Sequence, residues 1–376
     1  MNHYFRNALT YMTVSTMVQQ NQYKNEMNIV TYVSHVLSQC QLENINLSQY
    51  VFIHEVLTEA VIAGTTSVTK SNLARFVQNL ETSDLKTHSF PCWEPLEKQF
   101  AVSTEIHPSS HQYLTAVNPS NHWMNNSMDY VAVDITRVVL HPLIGGTDYV
   151  NASWIPGFIS EKQFIISQHP NNSSLAQFWH MVWQTNTSLI ICLSVFQQPV
   201  TFLFLYFFSL QLFFLQFWPP FNQPLVLQGL KISIENETSV SGYQSVCLQL
   251  EVCKNKQSVK IIFCPNWPHL SVPVSNCVHL VDCVTRIANS DTPTLVIDSF
   301  GATEASIFCV LSSLVRMMDL EDSVDVFYWF KSVHLCRPGV WVSPDNLLFL
   351  YRVMAELCSI NKISEQPIFS NIEVNI

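Results

Sequence analysis

Charge is what this sequence has least of. Asp, Glu, Lys and Arg make up 12% of its 376 residues, about half the share of an ordinary soluble domain. Basic residues are the scarcer sign: 18 Lys and Arg against 28 Asp and Glu, a formal net charge of −10. That balance excludes a nucleic-acid partner, which needs a basic face to displace phosphate counterions. None of the 11 cysteines forms a CxxC pair, and no His cluster stands at zinc spacing. No metal or cofactor is therefore expected, and the thiols read as reduced core residues of a cytosolic domain. Residues 1–20 lack a basic stretch leading into an apolar one with a small-residue end, so they do not read as a signal peptide. No internal repeat is evident.

What is present is apolar bulk. Residues of the apolar set make up 48% of the chain, enough for one large domain or two ordinary ones. Ser48–Ala63 carries Val51, Ile53, Val56, Leu57, Ala60 and Val61 at helical spacing, and Gly64 stops it. A second helix is expected over about Lys70–Leu80. The polar, proline-containing stretch from Glu81 to Pro95 reads as a linker. Beyond it, short strands are expected at Asp148–Ala152, Phe164–Ile166, Ser188–Leu193, Leu225–Ile234, Val246–Val252, Ser258–Phe263 and Thr294–Ile297. Helices are expected at Leu175–Thr185, Ala302–Met318, Val324–Val333 and Asn346–Ser359. Strands followed by helices in one unit point to an α/β or α+β domain.

Several segments carry more than periodicity. In order they are Asp148-Tyr149-Val150-Asn151-Ala152-Ser153-Trp154-Ile155, then Phe164-Ile165-Ile166-Ser167-Gln168-His169-Pro170, then Phe178-Trp179-His180-Met181-Val182-Trp183. Trp267-Pro268-His269 follows, with Val272-Pro273 behind it, and last Arg337-Pro338-Gly339. In order and spacing this set resembles the protein-tyrosine-phosphatase domain over about residues 96–358: its DYINASYI strand, FIATQGP, FWRMVW, the WPD loop and the glutamine-loop region. Within that family it most resembles the second, membrane-distal domain of receptor-type members of the gamma and zeta kind, which also place Asp at the nucleophile slot. The resemblance implies an α/β (α+β) fold with a central mixed, twisted sheet flanked by helices. Met17-Val18-Gln19-Gln20 and Gln49-Tyr50-Val51-Phe52-Ile53-His54 resemble the last helices of a preceding first domain. The expected organisation is thus a helical stub of that domain over 1–66 and a linker helix and loop over 67–95. The degenerate phosphatase domain covers 96–360, and 361–376 is a flexible tail.

A phosphatase of this class uses a thiolate, held at low pKa by loop amides, a helix N-terminus and an arginine. The thiolate attacks phosphorus, and the arginine clamps the phosphoryl oxygens as they gain charge. The corresponding loop reads Ile297-Asp298-Ser299-Phe300-Gly301-Ala302-Thr303-Glu304. The resemblance puts Asp298 at the nucleophile slot and Glu304 at the arginine slot. Each is a negative charge where a phosphate dianion would dock, unfavourable by roughly 1–4 kcal/mol at about 4 Å. Aspartate nucleophiles exist, but they work with a metal. The simpler reading of Asp298 is a carboxylate satisfied by loop amides and the helix dipole.

The other slots are also altered. His269 stands at the general-acid slot. Asn125-Asn126-Ser127 replaces the family's Asn-Arg-Tyr, so Ser127 stands where a tyrosine stacks on the substrate ring. Val342 occupies the slot of the water-positioning glutamine, and Asn346 matches a second, flanking glutamine. In contrast Arg137, Asp148, Asn151, Gln168, Pro170, Trp179, Trp183, Trp267, Pro268 and Arg337 match the scaffold. Kept scaffold and lost chemistry imply a regulatory or scaffolding pseudophosphatase. Its implied partners are proteins: an active phosphatase domain in cis or in a dimer. The implied location is the cytoplasmic part of a single-pass receptor. Two alternatives remain: an active tyrosine phosphatase with an unrecognised nucleophile, and a membrane-embedded fragment. The second arises from Val200–Phe217, which is uncharged and rich in Phe and Leu. At about 1.5 Å per residue it would span roughly 27 Å as a helix, just short of a bilayer core. A span there would separate two halves of one sheet. Residues 198–217 are therefore expected to be an apolar insertion.

Overall fold

The computed structural model describes residues 2–40, 45–82, 94–105, 110–141, 146–194, 216–240, 243–264, 267, 280–281, 284, 288 and 291–363. It opens with three helices, α1 (Asn2–Lys24), α2 (Ile29–Gln39) and α3 (Leu47–Ala63). β1 (Ser67–Thr69), α4 (Leu73–Thr82) and α5 (Glu94–Thr104) follow. Then come β2 (Ala152–Ile155), β3 (Phe164–Gln168), α6 (Leu175–Gln184) and β4 (Leu189–Cys192). A meander of β5 (Leu225–Leu227), β6 (Leu230–Val240), β7 (Tyr243–Val252) and β8 (Asn255–Phe263) comes next. β9 (Thr294–Asp298), α7 (Thr303–Glu321), β10 (Ser323–Asp325), α8 (Val326–Cys336) and α9 (Pro344–Ile363) complete the described chain.

Eight strands form one mixed sheet in the order β2-β3-β9-β4-β8-β7-β6-β5. β9 lies parallel to both β3 and β4, and the meander is antiparallel. A strand flanked on both edges and covered on both faces must be apolar throughout. Thr294-Leu295-Val296-Ile297-Asp298 is buried at every position, with Val296 in the core cluster on one side and Leu295 and Ile297 in the cluster on the other. The first cluster holds α7–α9 and also Val68, Leu73, Val77 and Leu96 from the segment before the sheet. The second holds α6, whose Phe178, Trp179, Met181 and Val182 pack under the sheet. The Trp179 indole N–H donates to Phe217 O at 3.0 Å, so a buried polar atom is satisfied where the chain returns to the sheet.

Three expectations differ from the structure. Leu225–Ile234 is not one strand: Gln228 and Gly229, both at positive φ, turn the chain so that β5 and β6 pair antiparallel. Asp148–Asn151 is not strand: Asp148 O accepts from Leu140 N–H and the Arg137 guanidinium, and Asn151 turns its side chain to bracket other loops. Only Ala152 onward joins the sheet. α8 begins at Val326 because Val324 is in β10, paired with Val68 of β1, and Asp325 caps the helix by accepting from Tyr328 N–H.

The helices also contain a repeat. The shift that carries Ile29 onto Val326 also carries Lys24 onto Glu321 and Leu47 onto Pro344, so in α1–α3 and α7–α9 the helix ends that flank the two connections, and the connection lengths, agree. The residues that set those ends correspond as well. Asn25 and Asp322 both sit at φ 53. Asn28 and Asp325 each accept from the backbone N–H three residues on. Cys40 N–H bonds to Val36 O, as Arg337 N–H bonds to Val333 O. The repeat is hidden in the sequence because few residues coincide, and core and cap positions tolerate such exchange when volume and donors are kept.

Candidate functional site

The site forms where β9 ends. Its central, parallel place puts the carboxyl end of Asp298 in the crevice at the sheet edge, where a following loop can turn amides back on it. His169 N–H donates to Asp298 O at 2.7 Å, and Gly301 makes the turn at φ +66. A Cβ at Gly301 would lie 2.6 Å from Gln168 N, so both the conformation and the space require glycine.

The Asp298 side chain fills the loop. It is 2% exposed. Oδ1 accepts from Phe300 N–H at 2.9 Å and from Ala302 N–H at 2.9 Å. Oδ2 accepts from Ala302 N–H and from Ala305 N–H, both at 2.9 Å. The amide nest and the first turn of α7 thus hold an anion that belongs to the chain itself. Glu304 is hydrogen-bonded to the same carboxylate. Burial, and then the Asp298 charge, push its pKa up to about 7. The Glu304 carboxyl therefore keeps its proton to higher pH than an exposed acid would.

Arg337 braces the loop from behind. Its side chain is fully buried, and burial lowers its pKa to about 10, which leaves it charged. Nε donates to Gly301 O. The two terminal nitrogens donate to Ser153 Oγ at 3.0 Å, Asn151 Oδ1 at 2.9 Å, Tyr130 O at 3.1 Å and Phe300 O at 3.4 Å. Asn151 in turn donates to Gln168 Oε1 at 2.9 Å, and Gln168 donates to Met124 O at 2.8 Å. Arg137 forms its own ion pair with Asp148 at 2.8 Å.

Of the singled-out positions, Asp298 and Glu304 meet. The other two described ones are used elsewhere. Ser127 Oγ accepts from Asp129 N–H at 3.1 Å and donates to Asp129 Oδ2 at 3.2 Å, closing a turn on itself. Val342 is 69% exposed, and its N–H donates to Asn346 Oδ1 at 3.0 Å. Asn346 also accepts from Ser343 N–H at 3.1 Å, so it caps α9 rather than facing the loop. His269 and residues 198–215 lie outside the described residues, while Trp267 packs on Phe308 with ring centroids 5.7 Å apart.

Asn126 is a loop residue that sequence reasoning passed over. Its Nδ2 donates to His169 O at 2.7 Å and to Ser299 O at 3.0 Å, clamping two loops together. Its place beside Ser127 in the substituted motif is the available signal. The ring of Tyr130 lies 6.0 Å from that of Phe300.

Neither thiol whose pKa is raised by the nearby Asp298 charge as well as by burial suits nucleophilic chemistry. Burial pushes Cys192 up to about 12 and raises Cys309 as well. The arrangement can seat one carboxylate in the loop amides, with a second carboxyl beside it, and hold the loop closed. Its amides are already taken by Asp298, so it has little left to offer a phosphate.

Residues 121–356 match the family model described as protein-tyrosine phosphatase. The chain is 30% identical over 359 residues to receptor-type tyrosine-protein phosphatase zeta of Rattus norvegicus, a match covering 93% of this chain and 15% of that protein. The zeta protein of Homo sapiens gives the same identity and coverage. Tyrosine-protein phosphatase 99A of Drosophila melanogaster is 29% identical over 353 residues, 93% of this chain and 25% of that protein. The chain thus spans 15% to 25% of the length of these curated relatives.

Proposed function

The chain belongs to the protein-tyrosine-phosphatase family, and from that premise we propose that it is a non-catalytic second-domain region of a receptor-type member. It is a pseudophosphatase that regulates or scaffolds through protein partners on the cytoplasmic side of a membrane. One observation carries this reading: the Asp298 carboxylate accepts the loop amides of Phe300, Ala302 and Ala305, the groups that would otherwise receive phosphate. Glu304 adds support, because the guanidinium needed to clamp phosphoryl oxygens is replaced by an acid bonded to Asp298. The similarity to receptor-type zeta over 93% of the chain supports the receptor setting. Among the described residues no helix is long and apolar enough to cross a membrane, and residues 200–215 lie outside them; the membrane association proposed is that of the parent receptor. α1–α3 are the closing helices of a preceding phosphatase unit, and an active phosphatase domain, in cis or in a dimer, is the proposed partner.

Purified chain incubated with p-nitrophenyl phosphate and with a phosphotyrosine peptide should give no turnover above buffer, and isothermal titration with inorganic phosphate should give no heat of binding. Turnover that disappears in Asp298→Ala would sink the reading.

A further inference from the structure

A second cluster of polar groups stands on α6, outside the loop at Asp298. Gln177 and His180 are three residues apart and so share one face of that helix. The segment before β2 lies across the same face: His141 N–H donates to Gln184 Oε1 at 2.8 Å, and Gln184 donates back to His141 O at 3.1 Å. The two enclose a cavity of about 10 Å³, room for one water or one ion. Gln177, His180, His141, Thr147 and Gln228 line it, and none of its lining residues is Asp, Glu, Lys or Arg. His180 is only 6% exposed, yet among the described residues its Nε2 has no partner, and neither has the buried Oε1 of Gln177. The Leu227 carbonyl accepts from the His180 ring; with Nε2 unpaired, the donor is Nδ1. Burial lowers the His180 pKa, so the neutral ring presents a lone pair at Nε2.

We propose that this cavity binds a divalent transition-metal cation of the zinc class, with His180 Nε2, Gln177 Oε1 and the His141 imidazole as its protein ligands. Imidazole nitrogen is a donor such ions favour, and a site without a carboxylate offers little to calcium or magnesium. A carbonyl that holds the far ring nitrogen, as Leu227 does, fixes the tautomer a metal needs. No Lys or Arg in the lining repels a cation, and a chain of net charge −10 attracts one. His141 is exposed, so the ion can enter from solvent. Among the described residues no group of three or more His, Cys, Asp and Glu could hold a metal; here an amide oxygen completes two histidines. The ligands come from a helix and a separate segment before β2, so no spacing in the sequence marks them. The proposal is independent of whether the loop at Asp298 is catalytic.

The test is isothermal titration of the full chain, treated with chelator and kept reduced, with zinc chloride. Four proteins are compared: wild type, His141→Ala, His180→Gln, and Cys253→Ser, which removes an exposed thiol outside the cavity. Wild type and Cys253→Ser should bind one equivalent at micromolar affinity, and zinc should raise their melting temperature. Each histidine variant should bind at least about tenfold more weakly and lose that rise. His141 is exposed, so its alanine variant keeps the core intact and decides the matter even if His180→Gln fails to fold. No binding by wild type would mean that the cavity holds water only, and overturns the proposal. Binding that His141→Ala retains at wild-type affinity would place the zinc elsewhere on the chain, on its thiols, and overturns it as well.

Discussion

Glu304 makes the stability of this fold depend on pH in a direction that few carboxylates do. Its pKa rises from 4.5 to about 7 in the folded chain, first through burial and then through the Asp298 charge. The folded state therefore binds more protons than the unfolded state between those values, and stability falls as pH rises through that window. The contribution is complete below about pH 4.5 and lost above about pH 7. Over the whole window the shift corresponds to about 3 kcal/mol, of which about 2.5 kcal/mol falls between pH 5 and pH 8. Glu304→Gln removes the titration but keeps an N–H that can donate to Asp298. Urea unfolding of both proteins across that range isolates the effect, since every other titrating group is common to the two. Near pH 5 the curves should lie close together. By pH 8 the Gln variant should be the more stable, by up to about 2.5 kcal/mol. Parallel curves would refute the reasoning, because they would mean that burial and the Asp298 charge do not raise the pKa of Glu304 in the folded chain.

Three further outcomes follow from the same loop. Gly301→Ala puts a Cβ 2.6 Å from Gln168 N and 2.7 Å from Ser167 C at φ +66, and should cost at least about 2 kcal/mol by urea unfolding; a loss within about 0.5 kcal/mol would show that the loop moves freely. Arg337→Met strands Gly301 O, Asn151 Oδ1 and Ser153 Oγ in a buried site and should destabilise by roughly 3–5 kcal/mol, with an unchanged midpoint as the contrary result. Asp298→Cys restores a thiol to the end of β9 but leaves Glu304 where a guanidinium is needed, so p-nitrophenyl phosphate should still not turn over; hydrolysis by this single variant would show that Glu304 does not block the site.

How much of this was legible in the residues follows from the range of each interaction. The apolar run Thr294–Ile297 announced a short strand, and β9 is that strand, buried at every position. The aromatic spacing of Leu175–Thr185 announced α6. Local patterns of this kind need only neighbours. β1 and β10 are three residues each and pair across most of the chain, so nothing local marks them, and Val324 was read into the helix that follows. The repeat escaped for a related reason: it is written in helix ends, φ values and caps, not in identical side chains. At the site, substitution of the loop acids could be read directly, but their mutual contact could not. Neither could the use of Asn126 as a clamp and Asn346 as a cap, because which acceptor a side-chain amide meets is set by tertiary packing.

The structure also explains why the altered loop can stay folded. A phosphate loop is a nest of inward-pointing amides at a helix N-terminus, and without an anion those donors would be buried unsatisfied. In an active member the thiolate and the substrate supply the negative charge. Here the Asp298 carboxyl group fills that place, meeting three amides at 2.9 Å. Burial and then the Asp298 charge raise the pKa of Glu304 beside it to about 7. Alanine at Asp298 would leave the nest empty and Arg337 without the negative charge that favours its ionised form. On the proposed reading Asp298 is a structural ligand of its own loop. The scaffold around Arg337, Asn151 and Gln168 thus holds a loop whose amides the chain's own carboxyl group satisfies.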